Sequence, residues 1–224
     1  MTPLQLPTST PLDTHSSIAI GIAGSNVTGD KKQKHVAFIH QNPLPNPWLL
    51  HLAWHRRLFH HPWDGQYYWI GLSRIDSEVQ EEFSDWARIV AGRSKDLEIP
   101  YSVFFVPDGN FDVDGQFIDR GDGSGLTCAT FILAMFADYG LPLLRIDSWP
   151  KSRPGDFSWM RKILKALRPV LTRSEFLSQI ARRHELKRFR PEEVVAAASI
   201  FEGVPLEFDE VVPVSKVVLT QVPR

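Results

Sequence analysis

The sequence predicts an α+β fold in which strands come first and most of the helices follow. Four short apolar runs between residues 16 and 72 have strand character, and turn-rich segments separate them. Helical periodicity of apolar residues begins at Ser77 and recurs as far as Phe201. With 224 residues, 43% of them apolar and 23% charged, the chain is long enough for one sizeable core or a core with an appended subdomain.

The predicted strands follow an N-terminal arm. Residues 1–17 are rich in Pro, Thr and Ser, and we expect a flexible segment there. A polar loop separates the first two strands, and a proline-rich connection joins the second to the third. The four runs are 16–24, 35–40, 48–54 and 67–72.

The helices are predicted from apolar spacing and from end signals. Ser77 suits the N-cap of a first helix over 77–91. A second helix is expected to start after Thr127 and stop at Gly140, with Pro142 just beyond. The C-terminal part predicts a basic helical extension over 151–224, appended to a main domain over 18–150. Its helices are expected at 156–167, 174–185 and 191–201, followed by a valine-rich, strand-like segment at 208–221.

Cys128 is the only cysteine, which excludes an intramolecular disulfide framework and a Cys-based zinc finger. The first 17 residues lack a positive n-region, and no stretch approaches the roughly 18 apolar residues that a membrane span needs. A reducing, cytoplasmic setting is therefore the expectation.

Charge is unevenly distributed, although the formal net charge is only −1. Between Lys151 and Arg190 there are 12 Lys and Arg against 3 Asp and Glu, a local charge of +9, so the remainder carries −10. Two interpretations stay open: a solvated helical face, or a surface for an anionic partner such as a membrane or an acidic protein. Nucleic acid is not an expected partner.

Cys128 lies where a glycine-rich loop is predicted to turn into an apolar helix. Thr127 is a plausible N-cap, and Gly123 and Gly125 permit a tight approach of the loop. The N–H groups and the dipole at a helix start lower a thiol pKa. A small buried hydrophobe is the competing interpretation, since free cysteines are among the most buried residues.

His35 and His51 lie on two of the predicted strands. If these strands form a hairpin centred near Leu44, His35 falls opposite Ala53 and His51 opposite Ala37. Because side chains alternate between faces, both imidazoles then share a face as diagonal neighbours, about 7–8 Å apart at the backbone. A register slip of one residue would separate them, and two histidines on unrelated strands remain the alternative.

Three short motifs in this order resemble a known family. His-Val-Ala-Phe-Ile from His35, Leu-Leu-His-Leu-Ala around His51, and Leu-Thr-Cys-Ala-Thr-Phe around Cys128 are similar to the lecithin retinol acyltransferase-like group. That group is the circularly permuted branch of the NlpC-type, papain-like hydrolases, and the resemblance covers residues 18–139. It implies a papain-like antiparallel sheet packed on a Cys-bearing helix.

The resemblance also implies roles for these residues. Cys128 would be the nucleophile, His35 the base, and His51 the polar residue that fixes the ring of His35. The Cys128 backbone N–H would contribute to an oxyanion hole, and Tyr101 resembles a tyrosine of bacterial members. The Asn-Cys-Glu-His signature of the acyltransferases is absent, so lipid acyl transfer does not follow directly.

The expected activity is cysteine-dependent hydrolysis, or transfer of an acyl or peptidyl group, through a thioester and without a cofactor. The substrate would carry an amide, isopeptide, ester or thioester bond. Two alternatives stay open: a lipid acyltransferase or phospholipase, and a catalytically silent binding module of the same fold.

Other polar groups predict no further site. His55, His60 and His61 are interpreted as surface or loop histidines rather than metal ligands, because Leu52 replaces the glutamate of His-Glu-x-x-His. The Asp-rich loop at 107–124 lacks a glutamate at the twelfth place of a calcium loop, so its aspartates are interpreted as turn-forming.

Overall fold

The computed structural model describes residues 4–7, 12, 16–25, 33–41, 46–93 and 99–223. Within them a five-stranded antiparallel sheet and six α-helices confirm the α+β class. The strands stand in the order β4-β3-β2-β1-β5. Their bounds are β1 (Ile18–Gly24), β2 (Lys34–His40), β3 (Trp48–Trp54), β4 (Arg57–Pro62) and β5 (Tyr68–Gly71).

Five of the six helices fall where the periodicity predicts them. The bounds are α1 (Ser77–Arg93), α2 (Cys128–Asp138), α3 (Asp156–Leu167), α4 (Arg173–Ala181), α5 (Pro191–Ile200) and α6 (Phe208–Gln221). Ser77 is the first helical residue rather than the N-cap, because the Asp76 carboxylate accepts the Glu78 N–H at 2.9 Å. None of these helices combines the length and apolarity that crossing a bilayer requires.

The sheet buries both faces. On one face Ile20, Val36 and Phe38 are fully buried under helices, with α2 on β2 and β3, and α5 on β1, β2 and β5. The other face carries a smaller cluster in which Tyr67 and Trp69 cover alanines of β1 and β2. Tyr67 lies so close to β1 that a Cβ added to Gly21 would stand 3.1 Å from the Cβ of Tyr67. Elsewhere Gln5, in the N-terminal arm, pairs with Trp69; the rest of the arm lies largely outside the described residues.

The C-terminal helices share the main core with the sheet. Seven of the ten residues of α5 are buried, and α6 packs along it. The strand-like prediction for 208–221 is wrong. Val211 and Val218 stand seven residues apart on one helical face and are fully buried, so packing against α5 overrides the β-propensity of valine. The Glu207–Glu210 capping box starts the helix.

A buried ionic cluster ties the start of α5 to the segment before α3. The Glu193 carboxylate is 2% exposed and accepts hydrogen bonds from the Arg153 guanidinium, from Trp149 Nε1 at 3.3 Å and from the Arg190 N–H at 2.9 Å. Asp156, fully buried, accepts from Arg190 at 3.1 Å. These pairs neutralise part of the basic segment internally.

We expect Glu193→Gln to lower the free energy of unfolding by about 2 kcal/mol, because charge-assisted hydrogen bonds to buried donors become neutral ones. Urea denaturation at neutral pH measures the change. The matched control is Glu185→Gln, whose carboxylate is 44% exposed and pairs with Arg182 at 3.1 Å. That variant should change stability by under about 1 kcal/mol, and equal losses in both variants would contradict the expectation.

Candidate active site

Thr127 caps α2 as predicted, which fixes Cys128 at the first helical position. Thr127 Oγ1 accepts the Thr130 N–H at 3.2 Å, and Thr130 Oγ1 accepts the Thr127 N–H at 2.7 Å. The preceding loop passes so close to Pro100 that a Cβ on Gly125 would stand 2.2 Å from the Pro100 carbonyl oxygen. Only glycine permits this approach, and the loop therefore delivers Cys128 beside the segment that carries Tyr101.

Burial dominates the electrostatics of the Cys128 thiol. The side chain is 7% exposed, and desolvation raises the thiol pKa from 9.0 to about 11. The backbone N–H groups of Val36, Ala129 and Cys128 itself offset only part of that shift. Desolvation therefore outweighs the expected lowering of the thiol pKa by the helix start, and the thiol is protonated at neutral pH.

Tyr101 lies beside the start of α2, where it lines the same cavity as Thr127 and Cys128. It is 3% exposed, and its ring centroid stands 4.8 Å from that of Trp54. The Cys128 backbone N–H favours the charged phenolate, although desolvation is the stronger influence and raises the phenol pKa well above 10.0. Tyr101 thus offers a neutral O–H next to the amide that the resemblance assigns to an oxyanion hole.

His35 and His51 meet as the hairpin geometry predicts. Phe38 pairs with Leu50 and His40 with Trp48, a register whose midpoint is position 44. The two imidazoles are joined by a hydrogen bond of 2.8 Å between His35 Nε2 and His51 Nδ1. Desolvation lowers the pKa of His35 from 6.5 to about 3 and that of His51 to about 4, so both rings are neutral at pH 7.

Cys128 approaches β2 from the other side. Strand alternation turns His35 towards the face of Ala37 and Ile39, whereas Cys128 belongs to the core cluster of Val36. The thiol lies against the amide of Val36, which follows His35 on β2, and a Cys128 thiolate would raise the pKa of the Tyr67 phenol. The ring of Tyr67 in turn stands 6.3 Å from that of His35. The bond from Cys128 to His35 that a triad requires stays a prediction.

A small cavity of about 60 Å³ opens beside Cys128, and three charged residues of its lining had not been predicted as site residues. They are Lys34 from β2, and Arg188 and Glu192 from the entry to α5. Arg188 lies over the Trp159 ring at 4.4 Å and favours the thiolate of Cys128. Its signal in the sequence was the basic segment, whose function could not be localised without the fold. His35 and His51 are not among the described residues that line this cavity.

Of the three other histidines, His55 lies in a turn, in agreement with the prediction of loop residues, whereas His60 and His61 belong to a strand that was not predicted. His60 and His61 lie on β4, where His60 Nε2 meets His40 Nε2 at 2.9 Å and His61 Nε2 meets His51 Nε2 at 3.2 Å. His55 is buried in a turn, and its Nδ1 accepts the Tyr101 N–H at 3.2 Å. Strand β4 was not predicted because its apolar and polar residues do not alternate and because it ends in proline. An edge strand tolerates proline at its end.

The aspartates of the 107–124 loop form turns, as predicted. Asp112 accepts the N–H groups of Asp114 and Gln116 at 3.0 and 2.9 Å, and Asp122 accepts that of Ser124 at 2.8 Å. Among the residues the structure describes, no group of three or more His, Cys, Asp or Glu is arranged to hold a metal ion.

Comparison with protein-family models, with curated proteins and with solved structures gives no significant match. The likeness to the permuted papain-like family therefore rests on the three motifs and remains a prediction.

Proposed function

We propose that the chain is a cysteine-dependent hydrolase, or an acyl or peptidyl transferase, that forms a thioester on Cys128. The hydrogen bond between His35 Nε2 and His51 Nδ1 supports this most directly. This hydrogen bond engages Nε2 of His35. The other ring nitrogen, Nδ1, is then the one that can accept the proton of the thiol. An orienting partner on the far nitrogen of the base is the arrangement that nucleophile–base sites share.

In this proposal the base acts on a neutral thiol. His35 Nδ1 takes the proton of Cys128 as the sulfur attacks the carbonyl carbon of the substrate. The Cys128 N–H and the Tyr101 O–H donate to the oxyanion that forms. His35 then returns the proton to the leaving amine or alcohol, the bond to the leaving group breaks, and a thioester remains. Water or another nucleophile resolves that thioester with His35 again as the base.

The cavity beside Cys128 carries charges of both signs. Lys34 and Arg188 place positive charge beside Cys128, and Glu192 partly balances it. A peptide, protein or acyl substrate fits this proposal. The exposed basic residues of α3, namely Arg161, Lys162 and Lys165, support an anionic partner surface as a separate proposal.

A catalytically silent binding module is the second candidate. Two observations favour it: Cys128 is 7% exposed, and burial raises its thiol pKa to about 11. An inert, buried thiol has these properties.

Acylation of the single cysteine separates the two candidates. When the folded chain reacts with p-nitrophenyl acetate at pH 7.5, we expect a burst of one equivalent of nitrophenol. Intact-mass spectrometry should then show one added acetyl group per chain. Cys128→Ser tests the thiol with little change in volume, and circular dichroism checks its fold. A folded wild-type chain that acquires no acetyl group, or a Cys128→Ser chain with an undiminished burst, would refute the enzyme.

A further inference from the structure

Three histidines form an unbroken row of hydrogen bonds across one face of the sheet. His35 Nε2 meets His51 Nδ1 at 2.8 Å, and His51 Nε2 meets His61 Nε2 at 3.2 Å. The row ends where His61 Nδ1 stands 2.9 Å from the Pro62 carbonyl oxygen. Each histidine comes from a different strand, β2, β3 and β4, so the sheet register sets the row.

The carbonyl at the end of the row determines where each proton lies. A carbonyl oxygen only accepts, so His61 Nδ1 must carry the proton there, and in a neutral ring His61 Nε2 is then an acceptor. His51 Nε2 must therefore donate, which makes His51 Nδ1 an acceptor. His35 Nε2 must donate in turn, and the lone pair of His35 falls on Nδ1.

We propose that His61 is a positioning residue that acts through His51 to hold His35 in the tautomer whose Nδ1 is unprotonated. That nitrogen is the one that the proposed mechanism uses as the base, so the catalytic meaning of this inference rests on the proposed function. The tautomer itself does not depend on it. A base held in the wrong tautomer cannot accept the thiol proton.

Aromatic rings of the described residues lie around the row. The ring of Tyr67 stands 6.3 Å from His35 and 6.2 Å from His51, and the ring of Phe59 stands 5.6 Å from His51. Desolvation keeps His35 and His51 neutral, against a small opposing influence of Asp64 on His51. In these surroundings the hydrogen bond from His61 to the Pro62 carbonyl oxygen determines which nitrogen of each ring is protonated.

The opposite face of the same strands holds a matched control. His40 Nδ1 meets the Gln41 carbonyl at 3.1 Å, and His40 Nε2 meets His60 Nε2 at 2.9 Å. His60 of this pair is adjacent to His61 on β4. Because side chains alternate along a strand, His60 lies on the face opposite to His35. Changing His60 therefore perturbs the same strand and the same kind of hydrogen bond without touching the row.

Nitrogen NMR of ring-labelled histidine in the intact chain tests the tautomer directly. At pH 7 we expect His35 to show a protonated Nε2 and an unprotonated Nδ1. His61→Gln keeps an acceptor for His51 and should preserve this pattern. His61→Arg offers only donors, so it should reverse the row and move the His35 proton to Nδ1. His60→Gln should leave the His35 signals unchanged.

Acylation of Cys128 supplies the second measurement. We expect His61→Arg to slow it by about 10²-fold or more, the usual worth of general-base catalysis, while His61→Gln stays within about threefold of wild type. A wild-type His35 protonated at Nδ1, or one whose tautomer His61→Arg does not change, overturns the inference. A chain with the expected tautomers but no acylation in any variant leaves the inference standing and removes the proposed enzyme instead.

Discussion

Replacing His35 with alanine is expected to lower the rate of Cys128 acylation at pH 7 by about 10²–10⁴-fold. Burial raises the pKa of the Cys128 thiol to about 11, so very little thiolate exists at pH 7 without a base. His35 is neutral at pH 7 because desolvation lowers its pKa to about 3, so one ring nitrogen is unprotonated; the same desolvation makes the ring a weaker base than a free imidazole. Stopped-flow measurement of the p-nitrophenyl acetate burst gives the rate.

The pH profile identifies the cause of that loss. Without His35, attack requires hydroxide or prior ionisation of the thiol, so we expect the rate of the alanine variant to rise steadily up to about pH 11. The wild-type rate should already be near its maximum at neutral pH. His184→Ala is the control, since its side chain is 74% exposed and remote in sequence from both strands. Equal rates and equal profiles in His35→Ala and wild type would exclude His35 as the base.

Local patterns predicted the parts of the site that adjacent strands and helix ends determine. The hairpin register followed from placing His35 and His51 about a short connection, and the structure has that register. The Thr127 cap followed from a polar residue before an apolar run, because such residues accept the free N–H groups of a helix start. Both depend on interactions between residues close in sequence.

Long-range packing decided what the sequence could not reveal. The valines around Val211 and Val218 predict a strand from their β-propensity. In the structure these two residues are buried on one face of a helix that packs against α5. Arg188 reaches the cavity of Cys128 from 60 residues further along the chain, and no spacing rule connects the two. The thiol pKa shows the same limit, since the helix start was visible in the sequence but the burial that outweighs it was not.

Acidification from pH 7 to pH 5 is expected to destabilise the protein by several kcal/mol. Desolvation lowers the folded-state pKa of three histidines from 6.5 to about 3 for His35 and about 4 for His40 and His51. Between those values and 6.5 the unfolded chain binds protons that the folded chain refuses. Their contribution is therefore complete above pH 6.5 and is lost as the pH falls towards 4.

The size of this loss is a large part of a typical folding free energy. At pH 5 each refused proton costs roughly 2 kcal/mol, so three histidines together cost about 6 kcal/mol against a typical total of about 5–15 kcal/mol. Urea denaturation at pH 7, 6 and 5 measures the loss, and its slope with pH counts the protons taken up on unfolding. We expect the three histidines to contribute nearly three of those protons near pH 5.

Single variants assign the protons to residues. His40→Gln should reduce the uptake by about one proton, because His40 is fully buried and its folded-state pKa is about 4. His184→Gln is the control at an exposed position, since that side chain is 74% exposed. A free energy of unfolding that stays constant from pH 7 to pH 5 would show that these imidazoles are not held neutral. The neutral row that fixes the His35 tautomer would then lose its basis as well.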